Sequence, residues 1–264
     1  MATALASILE DPGRIVLLDE VDSTNDEAKR RLEREEYLWP EPPYLITARR
    51  QIAGRGRGSN AWYADEGSLT ETYVFEPSAC GLRPDQEPLV ALAYGVCLIR
   101  RIERAVGGRL RAPLEIRWPN DLEAGGRKWG GLLVERFATR RGSYLLVGVG
   151  LNVTTNLSRA PREVSWLATT LDTLGGGLGK AAWDRALAQS TFWALDEAVD
   201  RLVRGDATLA EDWMARDALR DVPITAVLPG RTVVGTGAGI DAAGHLRIAS
   251  ESGVETIGAG VIAR

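Results

Sequence analysis

Leu114 to Asn152, LEIRWPNDLEAGGRKWGGLLVERFATRRGSYLLVGVGLN, is the stretch on which the reading of the fold turns. Leu114-Glu115-Ile116-Arg117-Trp118 reads as a strand that stops at Pro119-Asn120-Asp121, where proline removes a ladder donor and Asn-Asp favours a turn. A turn at Gly125-Gly126 leads through Arg127-Lys128-Trp129-Gly130-Gly131 into a second strand, Leu132 to Phe137, and Tyr144 to Gly150 makes a third. Connections this short join antiparallel neighbours, because parallel pairing needs a crossover of roughly a dozen residues. An antiparallel meander is expected, with polar residues gathered where each strand ends.

Upstream, Arg14 to Glu20 reads as a short strand, and Ala28 to Glu36 as a charged helix with Leu32 facing inward. Ser23 with Asp26, or Thr24 with Glu27, has capping-box spacing. One cap explains one hydroxyl, whereas Ser23-Thr24-Asn25 offers three small polar residues that could equally face a ligand at a helix N-terminus. Tyr44 to Ala48 is the next strand, followed by a glycine–arginine loop from Arg49 to Trp62. Gly54, Gly56 and Gly58 free its backbone for close approach, and Arg55 and Arg57 supply planar cations suited to carboxylate or phosphate. Ser68 to Phe75 alternates as a strand, and Glu87 to Val106 repeats apolar residues at helical spacing up to Gly107-Gly108.

Downstream, Asn156 to Ser165 is a polar loop ahead of Trp166, and Trp183 to Leu202 reads as one long amphipathic helix, continued by a shorter one from Leu209 to Leu219. From Val222 the chain changes to short strand-like runs, Ile224 to Leu228, Thr232 to Ile240, His245 to Ser250 and Val254 to Ile257, separated by turn sequences. The expected organisation is a main domain over residues 1–220 and a small β-barrel over 221–264, too short to fold readily alone.

Composition narrows the function. With 45% hydrophobic and 26% charged residues the chain is an ordinary globular protein, and its net charge of −4 argues against holding nucleic acid over a broad surface. Cys80 and Cys97 are too few for a disulfide framework, which fits a reducing cytoplasm. The longest apolar run, Leu89 to Ile99, is shorter than a membrane span. A single histidine, His245, excludes metal sites built from several histidines.

Taken in order, Ser23-Thr24-Asn25, Gln51 with Gly54-Arg55-Gly56-Arg57 and Trp62, Trp118-Pro119-Asn120-Asp121, Arg127-Lys128 before Gly130-Gly131, Gly150-Leu151-Asn152 and a β-rich tail form a set that resembles the biotin protein ligases, the biotin–[acetyl-CoA-carboxylase] ligases. The likeness extends from Glu20 to the C-terminus. It implies an α+β fold of the class II synthetase or biotin–lipoate ligase type, with a mixed, largely antiparallel sheet, packed helices and a small C-terminal SH3-like β-barrel. It also implies a cytoplasmic enzyme that activates biotin with ATP and Mg²⁺ as biotinyl-5′-adenylate and passes the biotin to a lysine of a biotin carboxyl carrier domain.

The resemblance assigns roles. Arg57 and Lys128 would hold the biotin carboxylate against the α-phosphate and stabilise the oxyanion. Ser23, Thr24, Asn25 and Gln51 would meet the ureido ring, with Gly54, Arg55, Gly56, Gly130, Gly131 and Leu132 completing the biotin pocket. Arg55, Arg57, Trp62, Asn120, Lys128, Asn152 and Trp166 would face the nucleotide, Trp166 either stacking on adenine or sitting in the core. Asp121 would be the Mg²⁺ ligand.

Two departures stand out. Gly58-Ser59-Asn60-Ala61 lacks the basic residues many relatives carry, and Glu71 stands where the family usually has an apolar or aromatic residue. Glu71 would oppose an anionic intermediate if it faced the site and would be harmless if it faced solvent. Fewer than twenty residues precede the first strand, so a ligase without a DNA-binding domain, and without DNA as partner, is expected. A homodimer through an exposed sheet edge or face is left open. The rival readings are a lipoate or octanoate ligase or transferase of the same superfamily, a biotin-binding paralogue without activity, and a nucleic-acid binder.

Overall fold

The computed structural model describes residues 4–34 and 40–263. A helical turn, α1 (Ser7–Glu10), precedes strand β1 (Ile15–Val21), and helix α2 (Thr24–Glu33) follows closely. The helix starts earlier than the apolar pattern indicates, and the expected final residues Glu35 and Glu36 lie outside the described residues. Neither expected capping box forms at its start. The Ser23 carbonyl accepts the Glu27 N–H at 2.9 Å, while the Ser23 hydroxyl makes no capping bond. The small polar residues at this helix start are therefore available for other work.

Strand β2 (Tyr44–Arg55) runs well beyond the expected Ala48, followed by β3 (Ala61–Ala64) and β4 (Ser68–Phe75). The expected loop from Arg49 is thus mostly strand, and only residues 56–60 turn between β2 and β3. Gly54 has a steric reason: it lies opposite Trp62, and a Cβ there would stand 2.4 Å from the Trp62 carbonyl oxygen. Helix α3 (Val90–Val106) leads to β5 (Glu115–Arg117), β6 (Asp121–Ala124), β7 (Arg127–Thr139) and β8 (Gly142–Asn152). The expected antiparallel meander forms with four strands in place of three, because Asp121–Ala124, read as part of a turn, pairs with both β5 and β7. The sheet order is β1-β2-β4-β8-β7-β6-β5, with β3 on β2; only β1 and β2 run parallel.

Short helices α4 (Arg162–Leu167) and α5 (Leu171–Leu174) precede α6 (Lys180–Leu187), α7 (Ser190–Arg204) and α8 (Thr208–Met214). The single long helix expected from Trp183 to Leu202 is two, broken where Gln189 takes a φ of 61°. The helix expected to reach Leu219 stops at Met214.

The pleat gives the sheet two buried faces. Leu45, Tyr73, Phe75, Leu145 and Val147 join the cluster that includes α3 and α7, while Tyr44, Ile46, Val74 and Leu146 pack on Ala28 and Leu32 of α2. Strands β9 (Pro223–Leu228), β10 (Arg231–Ile240), β11 (Leu246–Ser250), β12 (Gly253–Ile257) and β13 (Val261–Ile262) form a second sheet, in the order β12-β11-β10-β9-β13, antiparallel throughout. Ile224, Val233, Leu246 and Ile248 from this sheet belong to the same apolar cluster as α3. The connecting segment adds hydrogen bonds from Ile116 N to Arg216 O at 2.7 Å and from Ala218 N to Ile116 O at 3.0 Å. The fold is the expected α+β arrangement of a mixed sheet, packed helices and a small C-terminal β unit. No helix among the described residues is long and apolar enough to cross a membrane.

Candidate active site

Where α2 begins beside β2, β4, β7 and β8, a narrow cleft of ≈ 40 Å³ gathers Ser23, Thr24, Asn25, Gln51, Arg55, Gly56, Trp62, Asn120, Lys128, Gly131 and Leu132. These residues are scattered over a hundred positions of sequence and meet because three strands end beside one helix start. Thr70, Glu71, Leu133, Gly148, Val149 and Gly150 complete its lining.

One side of the cleft is a wall of buried polar groups. Thr24 donates to Gln51 Oε1 through its backbone N–H at 2.8 Å and its hydroxyl at 3.0 Å. The Thr72 hydroxyl lies 2.8 Å from Thr24 Oγ1 and 2.6 Å from Asn25 Oδ1. Ser23, Thr24, Asn25 and Gln51 are all buried. Such groups must be hydrogen-bonded once out of water, so the wall is a fixed pattern of donors and acceptors.

The other side carries charge. Lys128 Nζ donates to Asp121 at 2.5 Å and lies 5.4 Å from the centre of the Trp62 ring. Gly131 makes room for it, since a Cβ there would meet Lys128 Nζ at 3.3 Å. Gly150 does the same for Trp62, whose ring would approach a Cβ to 2.7 Å. Two buried polar atoms have no protein partner, Trp62 Nε1 in the cleft and Asn152 Oδ1 two residues beyond its lining at Gly150. Orphaned atoms beside a cleft are open positions for a ligand's polar groups.

Several expected residues stand apart from the cleft lining. Gly54 and Gly130 serve packing one residue away, Gly130 because a Cβ would lie 2.8 Å from Leu151 Cδ2. Asp121 reaches the site through Lys128, and Asn152 lies two residues past Gly150. Arg57 is exposed and lines a neighbouring cavity of ≈ 360 Å³ that shares Asn120 and Leu132 with the cleft. Trp166 is not in the core: on α4 it is 70% exposed, with the Arg162 guanidinium 5.0 Å from its ring centre. It stays near the site, because the Thr169 N–H donates to Lys128 O at 2.9 Å.

Arg55 departs from the expectation of a free cation. Its guanidinium pairs closely with Asp26 and donates to Glu135 at 3.1 Å, so two carboxylates already neutralise it. Glu71 borders the cleft, but its carboxylate points neither at Thr24 and Asn25 nor into open solvent. Alternation sends it to the side opposite Thr70 and Thr72, where it accepts from the Tyr73 hydroxyl at 2.9 Å. Burial raises its pKa, opposed by hydrogen bonds from Thr191 and Tyr73. Among the described residues no group of three or more His, Cys, Asp or Glu is placed to hold a metal.

A larger groove of ≈ 860 Å³ shares Thr70 and Glu71 with the cleft. Both of its cations are paired within the groove, Lys180 with Asp184 and Arg49 with Asp19, so the smaller cleft, with Lys128 and the unpartnered Trp62 Nε1, is the stronger candidate. Sequence reasoning missed Asp26, Thr72, Glu135 and Gly148. For Thr72 and Glu135 the signal was present, two residues along the strand face from Thr70 and Leu133.

Residues 17–152 match the model of the Biotin/lipoate A/B protein ligase family. A biotin–[acetyl-CoA-carboxylase] ligase of Paracoccus denitrificans is 30% identical over 249 residues, 91% of this chain and 96% of that protein. The corresponding Mycobacterium tuberculosis ligase is 31% identical over 209 residues, 76% of this chain and 71% of that one. The bifunctional ligase/repressor BirA of Bacillus subtilis is 33% identical over 137 residues, covering 50% of this chain and only 39% of that protein. In structure, the Aquifex aeolicus biotin protein ligase in complex with biotin and ATP superposes with a TM-score of 0.71 over 94% of this chain and 97% of that one, at 23% identity. With the family model spanning the first strand to the end of β8 and relatives aligned nearly end to end, this chain belongs to the biotin/lipoate A/B protein ligase family.

Proposed function

We propose that the chain is a biotin–protein ligase. The observation that carries this is the buried wall of Thr24, Asn25 and Gln51 facing Lys128 across one cleft. A ureido ring offers two N–H donors and one carbonyl acceptor, which suits such a wall, while a carboxylate needs a cation at the other end. A plain octanoyl or lipoyl chain would leave the wall without new partners, and burying polar groups unmatched costs affinity.

In the first half-reaction a biotin carboxylate oxygen attacks the α-phosphorus of ATP, forming the acyl–phosphate bond and releasing pyrophosphate. Two anions must approach, so the work of the protein is to hold them in line and neutralise them. Lys128 is placed to bridge carboxylate and α-phosphate, with Arg57 entering from the turn between β2 and β3. Trp62 and Trp166 would flank the adenosine, and Asn120 and the orphaned Asn152 Oδ1 offer it hydrogen-bonding groups. In the second half-reaction a neutral lysine amine of the carrier attacks the acyl carbon, the amide bond forms, and AMP leaves. Lys128 then stabilises the oxyanion. Asp121, one carboxylate beside that cation, fits a Mg²⁺ held mainly by phosphates; the ion would supply charge to the triphosphate.

The partner under this reading is the biotin-accepting domain of a carboxylase, and the compartment is the cytoplasm. We divide the chain into a catalytic domain, residues 1–220, and a β unit, 221–264. Incubation with ATP, Mg²⁺, biotin and a biotin carrier domain, read by mass spectrometry, should add one biotin per carrier, and Lys128→Ala should abolish it. Tight biotin binding without transfer would favour the inactive paralogue, and selective use of octanoate would favour the rival ligase.

A further inference from the structure

On β7, Leu133 lines the cleft, and the two-residue period of the strand brings Glu135 to the same face. Glu135 Oε2 accepts from Asn25 Nδ2 at 2.8 Å, while Oε1 accepts from Lys29 Nζ at 2.8 Å and from Arg55 Nη2 at 3.1 Å. An ionised carboxylate can only accept, so Asn25 must turn its amide nitrogen to Glu135 and its oxygen away. That oxygen lies 2.6 Å from the Thr72 hydroxyl and against Gly148, where a Cβ would come within 2.5 Å. The amide is thus fixed on three sides. An amide oxygen has a second lone pair, and here it can only accept, from an incoming donor such as a ring N–H.

The same carboxylate acts on Arg55. With Asp26 it occupies the guanidinium, whose side chain is otherwise 34% exposed beside the ligand wall. Without Glu135, a long cation would keep one partner in place of two and could swing into the cleft.

We propose, resting on the biotin reading above, that Glu135 is a positioning residue that sets ligand specificity. It presents Asn25 as the acceptor for a ring N–H and keeps Arg55 against the wall, so the cleft selects a cyclic urea over an acyl chain that carries no N–H. Glu135 touches no reacting atom and acts through Asn25 and Arg55.

The test uses the full chain with Glu135→Gln and Glu135→Ala, titrated calorimetrically with biotin and with octanoate, and assayed for KM and kcat of pyrophosphate release. Biotin affinity should fall roughly tenfold in Glu135→Gln and further in Glu135→Ala, as for a misaligned hydrogen bond to a charged group. KM for biotin should rise in parallel while kcat at saturating biotin stays within about threefold, the pattern of lost ground-state positioning. Octanoate affinity should not fall, so the preference for biotin narrows. A merely structural role would lower the amount of folded enzyme, seen in the thermal midpoint, and leave KM alone. Folded variants that bind biotin within about twofold of wild type would overturn the proposal, since that is far below one hydrogen bond. If Glu135→Ala does not fold, Glu135→Gln decides. A wild-type chain that binds octanoate and no biotin would overturn the underlying reading as well, whereas biotin bound equally by wild type and variants removes only the role of Glu135.

Discussion

Asp217→Asn should flatten the acid side of the stability profile. Asp217 lies in the segment that ties β5 to the second sheet, is 8% exposed, and accepts the Leu219 N–H at 2.9 Å through Oδ1; its Oδ2 is buried without a partner. Burial pushes its pKa up from 3.8 to about 6; Leu219 and Arg220 oppose the shift, and Glu115 and Asp221 add to it. The folded pKa thus exceeds the unfolded one. Below the unfolded value the group is protonated in both states and costs nothing. Between the two values the folded protein binds the extra proton, so stability falls as pH rises through the window, and above the folded value the loss is complete. A shift of about two units at roughly 1.4 kcal/mol each amounts to about 3 kcal/mol. Asparagine does not titrate. The difference in unfolding free energy between variant and wild type, from urea denaturation at pH 4.0 and 7.5, should therefore grow by about 2.5 kcal/mol towards the higher pH, part of the loss being already present at pH 4.0, whatever its absolute offset. A difference constant to within about 1 kcal/mol would show that the buried carboxylate is relieved by something other than a proton.

Two further outcomes bear on the site. Gly148→Ala places a methyl 2.5 Å from Asn25 Oδ1 and 3.3 Å from the Leu133 carbonyl oxygen, so it must displace the amide. KM for biotin should rise by about tenfold or more, with a smaller change in thermal midpoint, and an unchanged KM would remove Asn25 from the ligand wall. Arg57→Ala removes an exposed cation, so ATP affinity should fall roughly tenfold and lose part of its salt dependence. An unaltered salt dependence in calorimetric titration would place Arg57 away from the phosphates.

The meander was legible because its turns are written in glycine, proline and asparagine, and Leu132 to Phe137 and Tyr144 to Gly150 carry long apolar runs. Strand β2 was underread because Arg49, Arg50 and Gln51 break the apolar pattern although the backbone goes on pairing with β1 and β3. Its ladder continues to β1 and, across the turn at 56–60, to β3, and that pairing outweighs local composition there. The break at Gln189 was hidden for the opposite reason, since apolar residues on both sides keep a helical period and a single positive φ leaves no compositional mark. In the site, Ser23 to Asn25 and Lys128 could be picked out as residue types, but the fate of Arg55 could not. Which carboxylates face a guanidinium is decided by register across β7 and by the first turn of α2, and neither Asp26 nor Glu135 stands near Arg55 in sequence.

That difference between cations decides which of them can do chemistry. Arg55 is held by Asp26 and Glu135, and Glu135 also takes Lys29 and Asn25, so freeing Arg55 would strand carboxylates that are only 30% and 21% exposed. Breaking such a network is costly, because the groups left behind lose their partners in a poorly solvated place. Lys128 is held by one carboxylate, Asp121, and the two side chains are 28% and 24% exposed, close to the values in the Arg55 network. What differs is the number of carboxylates on the cation: one such pair contributes on the order of 1 kcal/mol, an amount that a bound polyanion readily exceeds. Under the proposed reaction the lysine would therefore turn from Asp121 to the triphosphate while the wall of Thr24, Asn25 and Gln51 stays as it is. Because Nζ also lies over the Trp62 ring, that movement would be felt by the indole closing the cleft. In the reaction proposed above, the charge that has to move thus sits on the cation held by one carboxylate, and the charge that has to stay still sits in the network behind Asn25.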